Sequence, residues 1–325
     1  MMNHDLVLAV DIGGSKVSFA LIDKKAMLAE PVKTIPVPFN EKGVAEIEAV
    51  IALFAPFLQR TYGAGSRLLS IGLSLCGNVT METGEAVLAP NLHWRNVPIS
   101  ALLTERYQLP VFAATDVYMA GLAELVWGKA RGSRYFAWAT IGTGFGGYLF
   151  LDGKGYGGYH GFAGNFGHNT VDEINGFPCG CGKKGCLETF VAGPAIARAG
   201  QKAVDEGRSL TLSRLASGRK VTAQMVFQAE ADDDPAAKEI IAQVVRRVAV
   251  GLSGLVNILD LELIVLGGGV VRGSLDFVEK IDKAIRAFLM TEEAKRDFRL
   301  EVESFENSAL FGAGAHAFQK IGLLP

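Results

Sequence analysis

The feature that most restricts how this chain can fold is a pattern that occurs twice. Leu6 to Val10 is an apolar run that ends in Asp11-Ile12-Gly13-Gly14-Ser15-Lys16 and is followed by a second apolar run, Val17 to Leu21. Ala137 to Ile141 leads in the same way into Gly142-Thr143-Gly144-Phe145-Gly146-Gly147, and Tyr148 to Leu151 follows. Short apolar runs bounded by glycines read as buried strands, so each unit is a strand, a glycine loop and a strand. Glycines let backbone N–H groups approach an anion, and Asp11 stands where a carboxylate can hold a magnesium ion, directly or through water. One such loop is an ordinary hairpin turn; two in one chain predict duplicated halves that hold one phosphorylated ligand. A dinucleotide-binding crossover is excluded, because a strand and not a helix follows the second loop. A third apolar strand, Leu263 to Leu266, empties into Gly267-Gly268-Gly269, a run that on its own also reads as a tight strand exit.

At 325 residues the chain is too long for one small core and suits two lobes. Its net charge of −2 gives no electrostatic reason to expect nucleic acid or an anionic membrane as a partner. No apolar run reaches the ~18 residues of a membrane span, and the N-terminus does not resemble a secretory signal, so a cytoplasmic protein is expected. Apolar residues at spacings of three and four predict an amphipathic helix over Gly43 to Leu58. Further helices are expected from Val117 to about Gly128 and over Gly193 to Glu206. Asp234 followed by Pro235 opens the longest helix, and the run Asp232-Asp233-Asp234 reads as a cap and solvated loop, not as a metal site.

Three of the four cysteines, Cys179, Cys181 and Cys186, lie close together, with His168 just upstream. Three thiolates and one imidazole fill the four corners that zinc prefers, and the glycines between the cysteines let the sulfurs converge. The alternative, a disulfide and a spare thiol, requires an oxidising compartment. Cys76 reads as a core thiol.

The cysteine run, Cys179-Gly180-Cys181-Gly182-Lys183-Lys184-Gly185-Cys186-Leu187-Glu188, resembles the C-x-C-G-x-x-G-C-x-E signature of the ROK family of sugar kinases and repressors. Gly164-Asn165-Phe166-Gly167-His168 matches the family's G-E-x-G-H, whose histidine binds the metal and touches the sugar, and Asn165 replaces the glutamate that holds sugar hydroxyls. The first glycine loop is similar to the phosphate loop D-x-G-[GS]-[TS] of the actin, hexokinase and Hsp70 superfamily. Cys76-Gly77-Asn78-Val79 resembles the P-G-x-V turn, and Pro90-Asn91-Leu92-His93-Trp94 resembles P-N-L-x-W, whose asparagine contacts sugar. Thr115-Asp116 matches the family's N-D, in which the aspartate accepts the proton of the hydroxyl being phosphorylated; on local sequence alone Asp116 reads as a helix N-cap.

The resemblance implies an α/β fold of two ribonuclease-H-like lobes, with mixed sheets around a central cleft. Residues 1–116 with 309–325 are expected to form the N-terminal lobe, and residues 117–308 the C-terminal lobe with the zinc loop. The expected activity is ATP-dependent phosphorylation of a hexose or N-acetylhexosamine, at the 6-hydroxyl. Asp116 is the expected catalytic residue, and Asn91, Thr115, Asn165, His168 and Glu188 complete the sugar site. Asp11, Gly13, Gly14, Ser15, Lys16, Gly142, Thr143, Gly144, Gly267, Gly268 and Gly269 are expected to bind ATP and Mg²⁺. A structural Zn²⁺ falls to His168, Cys179, Cys181 and Cys186. The family's habit implies a homodimer, and a first strand at Leu6 leaves no room for the DNA-binding head of ROK repressors. Because Thr115 and Asn165 depart from the family pocket, a catalytically weak sugar sensor and a kinase for an atypical sugar stay open as alternatives.

Overall fold

The structure is a computed structural model that describes residues 5–58 and 66–325. Its strands are, in chain order, β1 (Asp5–Ile12), β2 (Lys16–Asp23), β3 (Lys33–Pro36), β4 (Arg67–Leu75), β5 (Asn78–Thr80), β6 (Glu85–Ala89), β7 (Trp94–Val97), β8 (Val111–Thr115), β9 (Phe136–Ile141), β10 (Phe145–Leu151), β11 (Lys154–Tyr156), β12 (Leu263–Gly267) and β13 (Arg299–Val302). Strands β1 and β12 are buried along nearly their whole length, as apolar runs without alternation require when both faces of a sheet are covered. The two large sheets have the orders β3-β2-β1-β4-β8 and β11-β10-β9-β12-β13. In each, the first three strands are antiparallel and the rest run parallel to the middle strand. The duplication expected from the glycine loops is therefore present in the topology: both are mixed sheets built the same way around a hairpin. A smaller sheet, β5-β6-β7, completes the set.

The chain divides into two compact units, Met1–Gly132 with Gly157–Phe162 and Ser304–Pro325, and Ser133–Tyr156 with Ala163–Glu303. The helix Asp116–Val126 lies in the first unit, beyond the boundary at Asp116 expected from sequence, because it crosses the closing helix Ser308–Lys320 at very short range. A Cβ added to Gly312 would stand 1.6 Å from the Met119 carbonyl oxygen. Gly312→Ala is accordingly expected to force the two helices apart and lower the unfolding free energy by about 1–3 kcal/mol, measured by urea denaturation. Next to this crossing the fully buried Glu124 carboxylate accepts the Lys129 N–H at 2.8 Å and the Ser304 hydroxyl at 2.7 Å, so one buried charge is held by donors far apart in sequence.

In the second unit the long helix Pro235–Leu259 starts as its sequence dictates. Asp234 Oδ1 accepts the Ala237 N–H at 2.9 Å, and Oδ2 accepts the Ser209 hydroxyl at 2.7 Å. Asp233 pairs with Lys238 at 2.6 Å. The acidic run is a cap and an exposed ion pair, as expected. The helix expected over Gly43 to Leu58 is shorter and broken, into Ile47–Ala52 and Ala55–Leu58. Gly43 takes φ +73° in a turn closed by the Asn40 side chain, which accepts the Lys42 and Val44 N–H groups. Pro56 then has no N–H to offer the Ala52 carbonyl, so the first helix stops there. No helix among the described residues is long and apolar enough to cross a membrane.

Candidate active site

In the first unit the parallel pairing of β1, β4 and β8 brings three strand ends together. Asp11 lies opposite Ser74, and Leu75 opposite Thr115. The carboxyl ends of parallel strands are where α/β sheets bind their ligands. Asp11 accepts the Ser74 hydroxyl at 2.6 Å. Asp116 is the first residue of its helix, and its carboxylate accepts the Val117 N–H at 2.9 Å and lies 3.2 Å from the Thr115 hydroxyl. Thr115 occupies the capping position itself and makes no side-chain cap, so Asp116 is not the N-cap that local sequence suggests. Burial raises the pKa of Asp116 to about 6, with the Asp11 charge adding to the rise and the bonds from Val117 and Thr115 opposing it. Burial also raises Asp11, against the Ser74 bond and the Lys16 charge.

Cys76, expected in the core, borders it half-buried at this same strand end. Burial and then the charges of Asp116 and Asp11 push its thiol up to about 12, so it stays protonated. The Gly13–Lys16 hairpin is closed by a 2.9 Å bond from the Gly13 N–H to the Lys16 carbonyl. Asn91, in the single turn Pro90–Leu92, lies directly on this loop: a Cβ on Gly14 would come within 2.9 Å of the Asn91 Cβ. Asp11, Asn91, Thr115 and Asp116 are thus held by one sheet and the turn beside it. Ser74 was not legible as a site residue, since only the strand register sets it against Asp11.

In the second unit the Gly142–Gly144 loop closes with a 2.9 Å bond from the Gly142 N–H to the Gly144 carbonyl, and the Gly193 N–H donates to the Gly142 carbonyl at 2.8 Å. Beside the loop lies a cavity of about 750 Å³. Gly142, Thr143 and Gly269 line it, facing the helix Ala223–Ala231. Of the third glycine run, Gly269 borders this cavity, whereas the Gly268 N–H is taken by Glu303 at 3.0 Å. Glu303, which also holds Arg272, had no signal in the sequence; it follows β13 and meets Gly268 only because β12 and β13 pair.

The ligand atoms of His168, Cys179, Cys181 and Cys186 all lie within 4.8 Å of one another. Cys181 and Cys186 sulfurs are 3.6 Å apart, far beyond a disulfide, and Cys179 Sγ is 3.5 Å from His168 Nδ1. Tetrahedral zinc with Zn–S of about 2.3 Å and Zn–N of about 2.0 Å places S···S edges near 3.8 Å and S···N edges near 3.5 Å. The turn Phe166–His168 aims the imidazole at Cys179, and Asn165 precedes that turn, exposed. Glu188 links this cluster to the glycine loop. Its Oε2 accepts the Phe145 N–H at 2.9 Å, and its Oε1 lies 3.8 Å from Cys179 Sγ.

The family model described as "ROK family" matches residues 7–320. The chain belongs to the ROK family. It is 32% identical over 303 residues to a glucokinase of Halalkalibacterium halodurans, covering 92% of this chain and 91% of that protein. It is 29% identical over 281 residues to an N-acetylmannosamine kinase of Vibrio cholerae, covering 86% of this chain and 89% of that one. The crystal structure of a ROK family glucokinase from Streptomyces griseus in complex with glucose and AMPPNP superposes with a TM-score of 0.79 at 26% identity, over 97% of this chain and 99% of that one.

Proposed function

We propose that this ROK-family protein is an ATP-dependent sugar kinase in which Asp116 accepts the proton of the attacking hydroxyl. The observation that carries this reading is the pair of half-buried carboxylates, Asp11 and Asp116, at the shared end of β1, β4 and β8. A base with a pKa of about 6 is ionised at neutral pH, yet close enough to that pH to take a proton. Asp11, with one oxygen fixed by Ser74, suits a Mg²⁺ ion, which supplies neutralisation of phosphate charge when bound. Phosphoryl transfer asks little more of the protein than positioning and charge, and a pinned base with pinned loops supplies both. The Gly142–Gly144 loop and the adjoining cavity take the nucleotide, with Thr143 and Gly269 in its wall. The His168, Cys179, Cys181 and Cys186 cluster, whose spacings fit a tetrahedral ion, holds a structural Zn²⁺.

Asn91, Thr115, Asn165, His168 and Glu188 are each sugar-binding residues in this reading. Asn165 sets its preference. A carboxylate there accepts from two hydroxyls, whereas an amide offers one acceptor and an NH₂ group that needs an acceptor on the sugar. An acetamide carbonyl or a keto oxygen, acceptors with no proton of their own, pairs best with that group; glucose, which offers hydroxyls there, loses a charge-assisted bond relative to a carboxylate, at a cost of about 1–3 kcal/mol. The test is an ADP-release screen across aldohexoses, ketohexoses, hexosamines and N-acetylhexosamines. Turnover on at least one is expected, with glucose poor; no turnover on any leaves a sugar-binding sensor. Asn165→Glu is expected to raise kcat/KM for glucose relative to the best substrate by about tenfold, and an unchanged ratio removes Asn165 from the sugar site.

A further inference from the structure

Helix Ala223–Ala231 presents one face to the cavity beside the Gly142–Gly144 loop. Ala223, Gln224, Phe227, Gln228 and Ala231 all line it, at the spacing of one helical face. Phe227 is held edge-on against Phe277, with ring centroids 5.3 Å apart, so its ring is a fixed apolar wall. Gln228 is the polar group on this face whose orientation is set by another residue. Its Nε2 donates to Asp232 Oδ1 at 3.1 Å, one helical turn on. Asp232 is acceptor-only when ionised, so it selects the amide rotamer that turns NH₂ toward itself and leaves Oε1 as the free acceptor. Among the described residues no donor reaches that oxygen. Turning the amide over would set Oε1 against the Asp232 carboxylate, acceptor against acceptor.

Resting on the nucleotide reading of this cavity, we infer that Gln228, oriented by Asp232, selects a nucleobase that carries an amino group at position 6 over one that carries an oxo group there. The amide oxygen accepts from the exocyclic amine, and the second Nε2 hydrogen donates to N1, a bidentate pair along the Watson–Crick edge of adenine. A 6-oxo purine reverses donor and acceptor along the same edge. It requires the flipped amide, which Asp232 opposes. Asp232 therefore acts through Gln228 as a positioning residue, although it does not itself line the cavity.

The test compares ATP with ITP, which differ only along this edge of the base. Wild-type protein is expected to prefer ATP, and Gln228→Leu is expected to lower the ATP-to-ITP ratio of kcat/KM by about tenfold, the loss of one hydrogen bond and its discrimination. Asp232→Ala, which leaves Gln228 in place but free to turn, is expected to lower the ratio in the same direction. Calorimetric Kd values for ADP and IDP should move in parallel, independently of turnover. A loss of helix stability alone would weaken both nucleotides equally and leave the ratio where it was. An unchanged ratio in Gln228→Leu overturns the base contact, and an unchanged ratio confined to Asp232→Ala overturns the positioning role. Failure of the wild type to bind ADP overturns instead the nucleotide reading of the cavity.

Discussion

Asp116→Asn is expected to leave the fold intact and to lower turnover by about 10²–10⁴-fold, because asparagine matches aspartate in shape but cannot take the hydroxyl proton. In the wild type the same group sets a rising limb in kcat/KM against pH with a midpoint of about 6, since the base is active only when ionised. The sign of the stability effect is opposite. The folded-state pKa is raised from 3.8 to about 6, so the folded protein holds this proton more tightly than the unfolded chain does. That contribution to stability is full below pH 3.8 and is lost as pH rises through about 6. Above pH 6 the wild type carries an ion that its burial disfavours, at a cost of about 2–3 kcal/mol. Asp116→Asn removes the ion and is expected to be more stable than the wild type at pH 8, with the advantage gone at pH 4. Denaturant melts at the two pH values, paired with ADP-release rates, separate this from a structural role for Asp116. Near-normal turnover in the variant would show that the carboxylate is not the base.

What could be read before the fold was known and what could not divide along a physical line. The glycine hairpins, the Asp234 cap and the clustering of His168 with three cysteines depend on residues close in sequence, where turn geometry, capping and ligand spacing act directly. Ser74 and Glu303 depend on which strands pair and in what register, and neither pairing is written in the residues themselves. Glu124 looks like an ordinary polar residue of a helix. It is buried because Ser304, at the far end of the chain, returns to its carboxylate. The helix after Asp116 belongs to the first unit for a related reason. Its partner is the closing helix, and the contact that joins them is made by Gly312, which leaves no apolar signature. The broken helix between Ile47 and Leu58 is a case where periodicity was overruled locally: the apolar spacing was right, but Pro56 and the Asn40 turn limit how much backbone can follow it.

Zinc removal is expected to act well beyond the cysteine loop. If the cluster holds one Zn²⁺ per chain, protein purified without added metal contains zinc near stoichiometry, and active protein with clearly less would end that reading. Structural zinc supplies folding free energy to the segment that binds it, so a strong chelator should lower the melting temperature and loosen the backbone between His168 and Cys186. The coupling outward runs through Glu188. It follows Cys186 closely, touches Cys179, and accepts the Phe145 N–H at 2.9 Å beside the Gly142–Gly144 loop. A carboxylate so placed stands to the metal as an outer partner, and losses of about 10–100-fold in metal affinity or activity follow the removal of such groups. Two results are therefore expected together: chelation weakens sugar binding by about tenfold or more, and the Phe145 amide loses protection from hydrogen exchange. Glu188→Ala should reproduce the second effect with the metal still bound, since it deletes the acceptor and spares all four ligands. Chelation that loosens residues 168–186 while Phe145 keeps its protection would confine the metal's role to its own loop and leave the glycine hairpin independent of it.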